Sequence, residues 1–422
     1  MTLLFVSLLL FILIGVPVAF SIGLSVLVYI VFESTFPISI ILQRMIAGVD
    51  SFPLLALPLF VFAGVLMEKG STKRLTRFAD SLIGFVKGGF GVVTVAASAF
   101  FGAVSGSGAA TVAAIGSIMG PEMVKRNYAK GFTASVIASS GGLGILIPPS
   151  LVMVIFGVSS GVSIGSLLLA GVIPGIITAV LLAITAIIMA KKLGYEKSGS
   201  FELREVLESF KGAILPLLTP IIIMGGIILG IFTPTEAAAV GTIYAFILAF
   251  FVYKELKIRD FPIVLKKVVA SSVMILFIIA VSSPFGWIIS SEQIPQKISE
   301  ALLSMFSSPI MIIIVIQLII LILGMFMETN AIVLLTTPIF FPIAVGLGMD
   351  PLVYAVVTLI NLIIGGATPP LAVGLFIATS ILKIEIHETF KYLWPFILAL
   401  LVSVGIHILF PSLTTFLPDL LM

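Results

Sequence analysis

The residues best placed to do chemistry are oxygen donors lying beside paired glycines and paired prolines. "SGSG" at Ser105 to Gly108 precedes the double proline of "SSGGLGILIPPS", and "METN", with Glu328, Thr329 and Asn330, precedes that of "LIIGGATPPL". Ser105 stands 43 residues before Pro148 and Glu328 stands 41 before Pro369, so the same two features recur at nearly the same spacing. A double proline removes two backbone donors and forces the residue before it out of helix, which frees carbonyls one turn back. Free carbonyls, hydroxyls and helix ends suit Na+, a hard cation, while half-helix N-termini favour an anionic group. Candidate ligands of a first sodium site are Ser105, Ser107, Gly144, Ile147 and Pro149. Glu328, Thr329, Asn330, Gly365, Gly366, Thr368 and Pro370 occupy the equivalent region of a second. A substrate carboxylate would sit between the two, beside Ser105, Gly106, Pro148, Glu328, Thr329 and Pro369.

Each motif also has a bland reading. Small residues at "SGSG" favour close packing of membrane helices, and a double proline can be a simple kink. Recurrence of both features together argues against either alone. Glu328 is a solvated loop residue if its segment is two full spans, and a functional one if it lies at membrane depth. Glu236 in "TPTEAAAVG" reads as a first-turn acid behind an N-cap at Thr233 or Thr235. His387, between Glu385 and Glu388, and His407 lack the partners of a proton relay and receive no role.

The elements that must hold these residues follow from composition. Of 422 residues 60% are hydrophobic and only 10% charged. With a mean hydropathy of +1.32, the chain has to lie in a lipid bilayer. The net charge of +3 gives no case for nucleic acid. The absence of Cys removes disulfides and thiolate metal sites. Charge-free stretches mark single spans at residues 2–31 (a retained helix, not a signal peptide), 52–67, 213–232, 237–253, 268–290 and 392–411. Lys and Arg concentrate in 69–87, 125–130, 191–211 and 254–267, which places those segments in the cytoplasm.

Residues 88–121 are uncharged but have basic flanks at both ends, so they must enter and leave on one side. They form a re-entrant hairpin with its tip at Ser105 to Gly108; by the same logic 309–349 is a second hairpin, opening outward, with its tip near Glu328. The chain then divides into scaffold helices and an amphipathic arm (1–87) and a first transport unit (88–192), with hairpin 88–123, broken helix 131–160 and helix 165–191. A linker and second scaffold helices (193–308) lead to a second unit (309–422), with hairpin 309–349, broken helix 351–382 and last helix 392–411. The charged stretch 196–211 reads as a surface helix, and 72–87 and 292–304 as interfacial amphipathic segments. The expected fold is all-α and polytopic, about nine crossings plus two hairpins, built as an inverted repeat with broken helices meeting at the midplane.

With both tips and both double prolines in place, the chain resembles the large membrane subunit of tripartite ATP-independent periplasmic (TRAP) transporters. The likeness runs through "GVPVAFSIG", "SGSGAATVAAIG", "GGLGILIPPS", "GIFTPTEAAAVG" and "GATPPLAVGLF". It implies an elevator-type carrier that uses Na+ to take up an organic acid, such as a C4-dicarboxylate or sialic acid, across a bacterial or archaeal inner membrane. It also implies a periplasmic substrate-binding protein of the P type and a small four-helix membrane subunit of the Q type, expected here as a separate chain. The family's second tip usually bears Asp followed by hydroxyl residues, where this chain has Glu328, Thr329 and Asn330.

Other classes compete less well. "GVSSG" at Gly157 to Gly161 matches the serine-hydrolase G-x-S-x-G pattern, but no histidine falls in a motif that would place it beside Ser159. No phosphate loop occurs, which excludes a nucleotide-driven pump. A carrier working without a binding protein, or a channel, remains the alternative.

Overall fold

The computed structural model describes residues 2–86, 88–195, 201–306 and 308–422, and among these every regular element is helical. Seven helices are long and apolar enough to cross a membrane, or up to nine if each bent pair counts as one span. The protein is therefore a polytopic helical membrane protein. Of the basic residues that set its expected orientation, Lys87 lies outside the described residues, as does the 196–200 part of the charged linker.

Several elements differ from the expected ones. The N-terminal run is two helices, Thr2–Leu13 and Val18–Phe32, packed on each other instead of forming one span. The break falls where Gly15 takes φ +85°, a left-handed turn that glycine adopts without strain, two residues before Pro17. The arm at 72–87 is no separate element, because helix Ala56–Ile83 continues through it. Likewise the charged residues from 203 onward begin the long helix Leu203–Ile228. The two extensions bind each other: Arg77 pairs with Glu205 at 2.8 Å, Phe78 packs on Phe210 with centroids 5.4 Å apart, and the Ser81 and Ser209 hydroxyls are 2.7 Å apart. Leu75 and Phe78 of the first stretch are buried, while Leu203 and Leu207 of the second stay exposed. Past the last long helix, Phe390–Leu409, a short helix Ser412–Leu421 closes the chain.

The basic segments gather at one end of the molecule. There Arg74 pairs with Glu255, Glu68 with Lys267 and Arg77 with Glu205, while the Tyr195 hydroxyl accepts from the Ala129 N–H at 2.9 Å. At the opposite end the Tyr29 hydroxyl donates to Glu292 at 2.7 Å, and Thr233 with Glu236 forms a reciprocal cap on helix Pro234–Ile247. The long helix Phe261–Ser291 runs from one end to the other, with Lys267 near its start and Trp287 near its finish.

Two helical hairpins fill the space between. The first joins Gly89–Ser105 to Gly108–Lys125, and its base lies at the basic end, where the Arg126 guanidinium covers the Phe90 ring at 3.9 Å. The second joins Pro309–Phe326 to Thr329–Gly346, and its base lies at the other end beside helix Ile294–Met305. Each hairpin precedes an interrupted helix: Lys130–Leu146 with Leu151–Ser160, bent by 48°, then Pro351–Ala367 with Val373–Leu382. Both interruptions carry their double proline.

Candidate functional site

The first tip is short because its residues suit a two-residue turn. Gly106 ends one arm with φ +64°, and Ser107 caps the next, its hydroxyl accepting from the Ala110 N–H at 3.4 Å. The tip is tied to the first interruption by a bond from the Leu151 N–H to the Gly106 carbonyl, 3.1 Å. A Cβ on Gly106 would lie 2.6 Å from the Pro149 carbonyl oxygen, and one on Gly144 would lie 2.7 Å from the Ser107 carbonyl oxygen and 2.5 Å from Thr111 Oγ1. The Ser107 carbonyl and the Thr111 hydroxyl therefore meet beside Gly144, and the Pro149 carbonyl lies beside Gly106, two points where glycine lets backbones touch.

Thr111, which the sequence reading missed, organises this cluster. Its hydroxyl donates to the Ser107 carbonyl at 2.7 Å and lies 3.1 Å from Ser105 Oγ. The signal was available: Thr111 stands one turn into the helix that Ser107 caps, and a threonine there bonds back four residues.

The second tip uses a different chemistry. Glu328 caps helix Thr329–Gly346, with one carboxylate oxygen accepting from the Asn330 and Ala331 N–H groups at 2.9 and 3.3 Å and the other from Asn330 Nδ2 at 2.8 Å. Asn330 Oδ1 is buried and has no donor. Met325, not the tip itself, holds the second interruption, its carbonyl accepting from the Leu371 N–H at 3.1 Å. Gly324 and Gly365 are in backbone contact, as Gly102 and Gly144 are in the first unit.

The two tips meet. Gly106, Ser107, Glu328, Thr329, Asn330 and Gly366 line one cavity of about 110 Å³, room for roughly three or four waters at ~30 Å³ each. A second cavity, about 400 Å³, runs from Ser105, Ser107, Glu328 and Asn330 toward the basic end, where Glu68 and Lys267 line it. Of the expected site residues, Ile147, Pro148 and Pro149, Gly144, Gly365, Thr368, Pro369 and Pro370 line neither cavity. Gly144 and Pro149 back the first tip. The Thr368 hydroxyl instead donates to the Ile364 carbonyl at 2.7 Å. The two double prolines differ in setting: Pro148 and Pro149 are buried, whereas Pro370 is exposed.

The interrupted helices exchange partners between units. Val373–Leu382 packs on Gly108–Lys125 and Lys130–Gly141, and Leu151–Ser160 packs on Thr329–Gly346, with Phe156 edge-on to Phe341 at 5.6 Å. A buried network fixes the second unit: Asn361 Nδ2 donates to Gln317 Oε1 at 2.7 Å and Gln317 Nε2 to Thr358 Oγ1 at 3.2 Å. No group of three or more His, Asp or Glu residues suited to a metal occurs among the described residues. His407 Nδ1 lies 2.7 Å from the Ser403 carbonyl, and His387 pairs with Glu385, so neither serves Ser159.

The family model described as tripartite ATP-independent periplasmic transporter, DctM component, matches residues 5–413. The C4-dicarboxylate TRAP transporter large permease of Rhodobacter capsulatus is 38% identical, with 96% of each chain covered. The sialic acid large permease of Vibrio cholerae is 36% identical over 96% of this chain and 95% of its own. An isethionate TRAP permease of Oleidesulfovibrio alaskensis, DctMQ, is 37% identical over 96% of this chain and 64% of its own length.

Proposed function

The chain belongs to the TRAP transporter family as a large permease, a transporter and not an enzyme, and from that premise we propose that it moves an organic acid across the inner membrane with Na+ as the coupling ion. One observation carries this reading. Hairpins rooted at opposite ends of the molecule bring their tips into one small cavity lined by hydroxyls, carbonyls and an unpaired amide oxygen. Irregular backbone at membrane depth is tolerated where it lines a cavity, and inverted repeats with broken helices are how secondary carriers build one.

In this reading the cluster of Ser105, Ser107 and Thr111, backed by the Gly144 and Pro149 backbone, takes one Na+. The Glu328, Thr329, Asn330 and Gly366 region takes a second. The cargo carboxylate, a C4-dicarboxylate, sialic acid or similar acid, sits between the tips. The two hairpins and two interrupted helices move as one body against Ala56–Ile83 and Phe261–Ser291, an elevator. The 400 Å³ cavity leading to the basic end is then the cytoplasmic exit. A periplasmic binding protein delivers the cargo, and a small membrane subunit completes the scaffold.

Na+ drives uptake only if it binds the cargo-competent arrangement better than the other. A ligand at 100 times its Kd stabilises by about 2.7 kcal/mol. Na+ should therefore raise the melting temperature of the purified protein over K+ at equal ionic strength, and Ser105→Ala, which removes a ligand of one of the two sites, should reduce the rise. Equal melting in both salts would sink the sodium assignment.

A further inference from the structure

We propose that Arg44 and Trp287 form a carboxylate-capture site at the mouth of a cavity on the end opposite the basic one. This cavity, about 920 Å³, lies between Phe261–Ser291 and the second hairpin's Thr329–Gly346 arm. Its largely apolar wall carries hydroxyls of Ser160, Ser282, Ser290 and Thr337, and among the described residues no charged side chain lines it. Ser282 is 5% exposed and its hydroxyl has no partner. A buried, unpaired hydroxyl facing a cavity awaits a ligand or water to bond it.

Arg44 supplies the charge. It stands one turn before Ala47 and Gly48, which line the cavity, so it shares their helix face. Its guanidinium lies over the Trp287 ring at 4.8 Å, and Phe36 packs edge-on against the same indole at 4.7 Å. No carboxylate pairs with Arg44 among the described residues. Basic residues are sparse at this end, where helix Ile294–Met305 carries Lys297, so an arginine held in place by an aromatic ring and paired with no carboxylate departs from the charge bias. A planar fork of donors beside serine hydroxyls recognises the carboxylate of a small hydroxylated organic acid.

The site rests on the reading that the cargo is anionic, but it shares no residue with the tip cavity and needs no Na+. The test is fluorescence of Trp287 as sole indole, in full-length protein carrying Trp394→Phe, in nanodiscs and potassium buffer, titrated with succinate, N-acetylneuraminate and neutral mannitol. The expected result is a saturable change with at least one acid and none with mannitol. Arg44→Gln should raise the half-saturating concentration about tenfold or more, and Arg44→Lys should recover much of it. Silence toward both acids, an equal response to mannitol, or an unchanged titration in Arg44→Gln would overturn the site. Loss of the sodium effect at Ser105 would leave it untouched.

Discussion

Two adjacent glycines give the sharpest test of how the second unit is assembled. Gly365 and Gly366 end the same helix, Pro351–Ala367, yet a Cβ on Gly365 would lie 2.6 Å from the backbone carbon of Gly324, while one on Gly366 meets nothing within 4 Å. Ordinary contact begins at 3.4 Å, so Pro309–Phe326 of the second hairpin would have to retreat by 3.4 − 2.6 = 0.8 Å. The obstacle is backbone and cannot turn aside. Overpacking of this kind costs about 1–3 kcal/mol, against a helix-propensity gain of up to about 0.5–1 kcal/mol that both alanines share. Gly365→Ala should therefore destabilise and Gly366→Ala should be neutral or slightly stabilising, the difference between them being the packing cost alone. For 422 residues, at about 2.1 cal/mol/K per residue, the shift is roughly 1 °C per kcal/mol, which replicate thermal melts in detergent resolve. Uptake should show the reverse specificity for Gly366→Ala, whose methyl enters the 110 Å³ cavity: stable protein, impaired transport. Equal melting of the two variants would refute the close helix contact. Normal transport by Gly366→Ala would refute the cavity's role.

Other outcomes follow from the same geometry. Thr111→Val keeps the shape but removes the hydroxyl that reaches Ser105 and the Ser107 carbonyl; the Na+ concentration for half-maximal uptake should rise as it does in Ser105→Ala, and an unchanged value would remove Thr111 from the site. Gln317→Leu leaves the Asn361 amide only its 3.3 Å bond to the residue-317 carbonyl and should cost about 1–3 kcal/mol. Adding Asn361→Leu should then cost less than the sum of the two single changes, because both polar partners are gone; strict additivity in thermal melts would show that the pair does not interact.

Much of this arrangement was legible because its causes are local. Charge-free runs between basic segments marked the helices, and "SGSG" marked a turn whose φ +64° residue is Gly106 and whose cap is Ser107. What was not legible depends on pairing between distant segments. Nothing near 72–87 reveals that its apolar face is covered by 203–211, since the Arg77–Glu205 and Phe78–Phe210 contacts join residues more than a hundred positions apart. The same holds for the exchange of interrupted halves between units, and for Gln317, whose partners Thr358 and Asn361 lie about two helices on.

The largest gap between sequence and structure is the difference between two motifs that look alike. Both double prolines follow a paired glycine and stand 43 and 41 residues after Ser105 and Glu328, so sequence assigns them equal roles. Structure separates them through what reaches each one. At the first, the tip itself is the partner: the Gly106 carbonyl accepts from Leu151, Pro149 is buried against Gly106, and Ser150 Oγ donates to the Ile145 carbonyl at 2.7 Å. At the second, Met325 is the partner, three residues before Glu328, and Pro370 stays exposed. A serine tip is small enough to seat against an interrupted backbone. A glutamate tip spends its carboxylate capping its own helix through Asn330 and Ala331, which holds it off the prolines. The residues expected there, Thr368, Pro369 and Pro370, thus fall outside the cavity, whose second-unit lining is the tip residues with Gly366 and its neighbours, and the proposed second site rests on these.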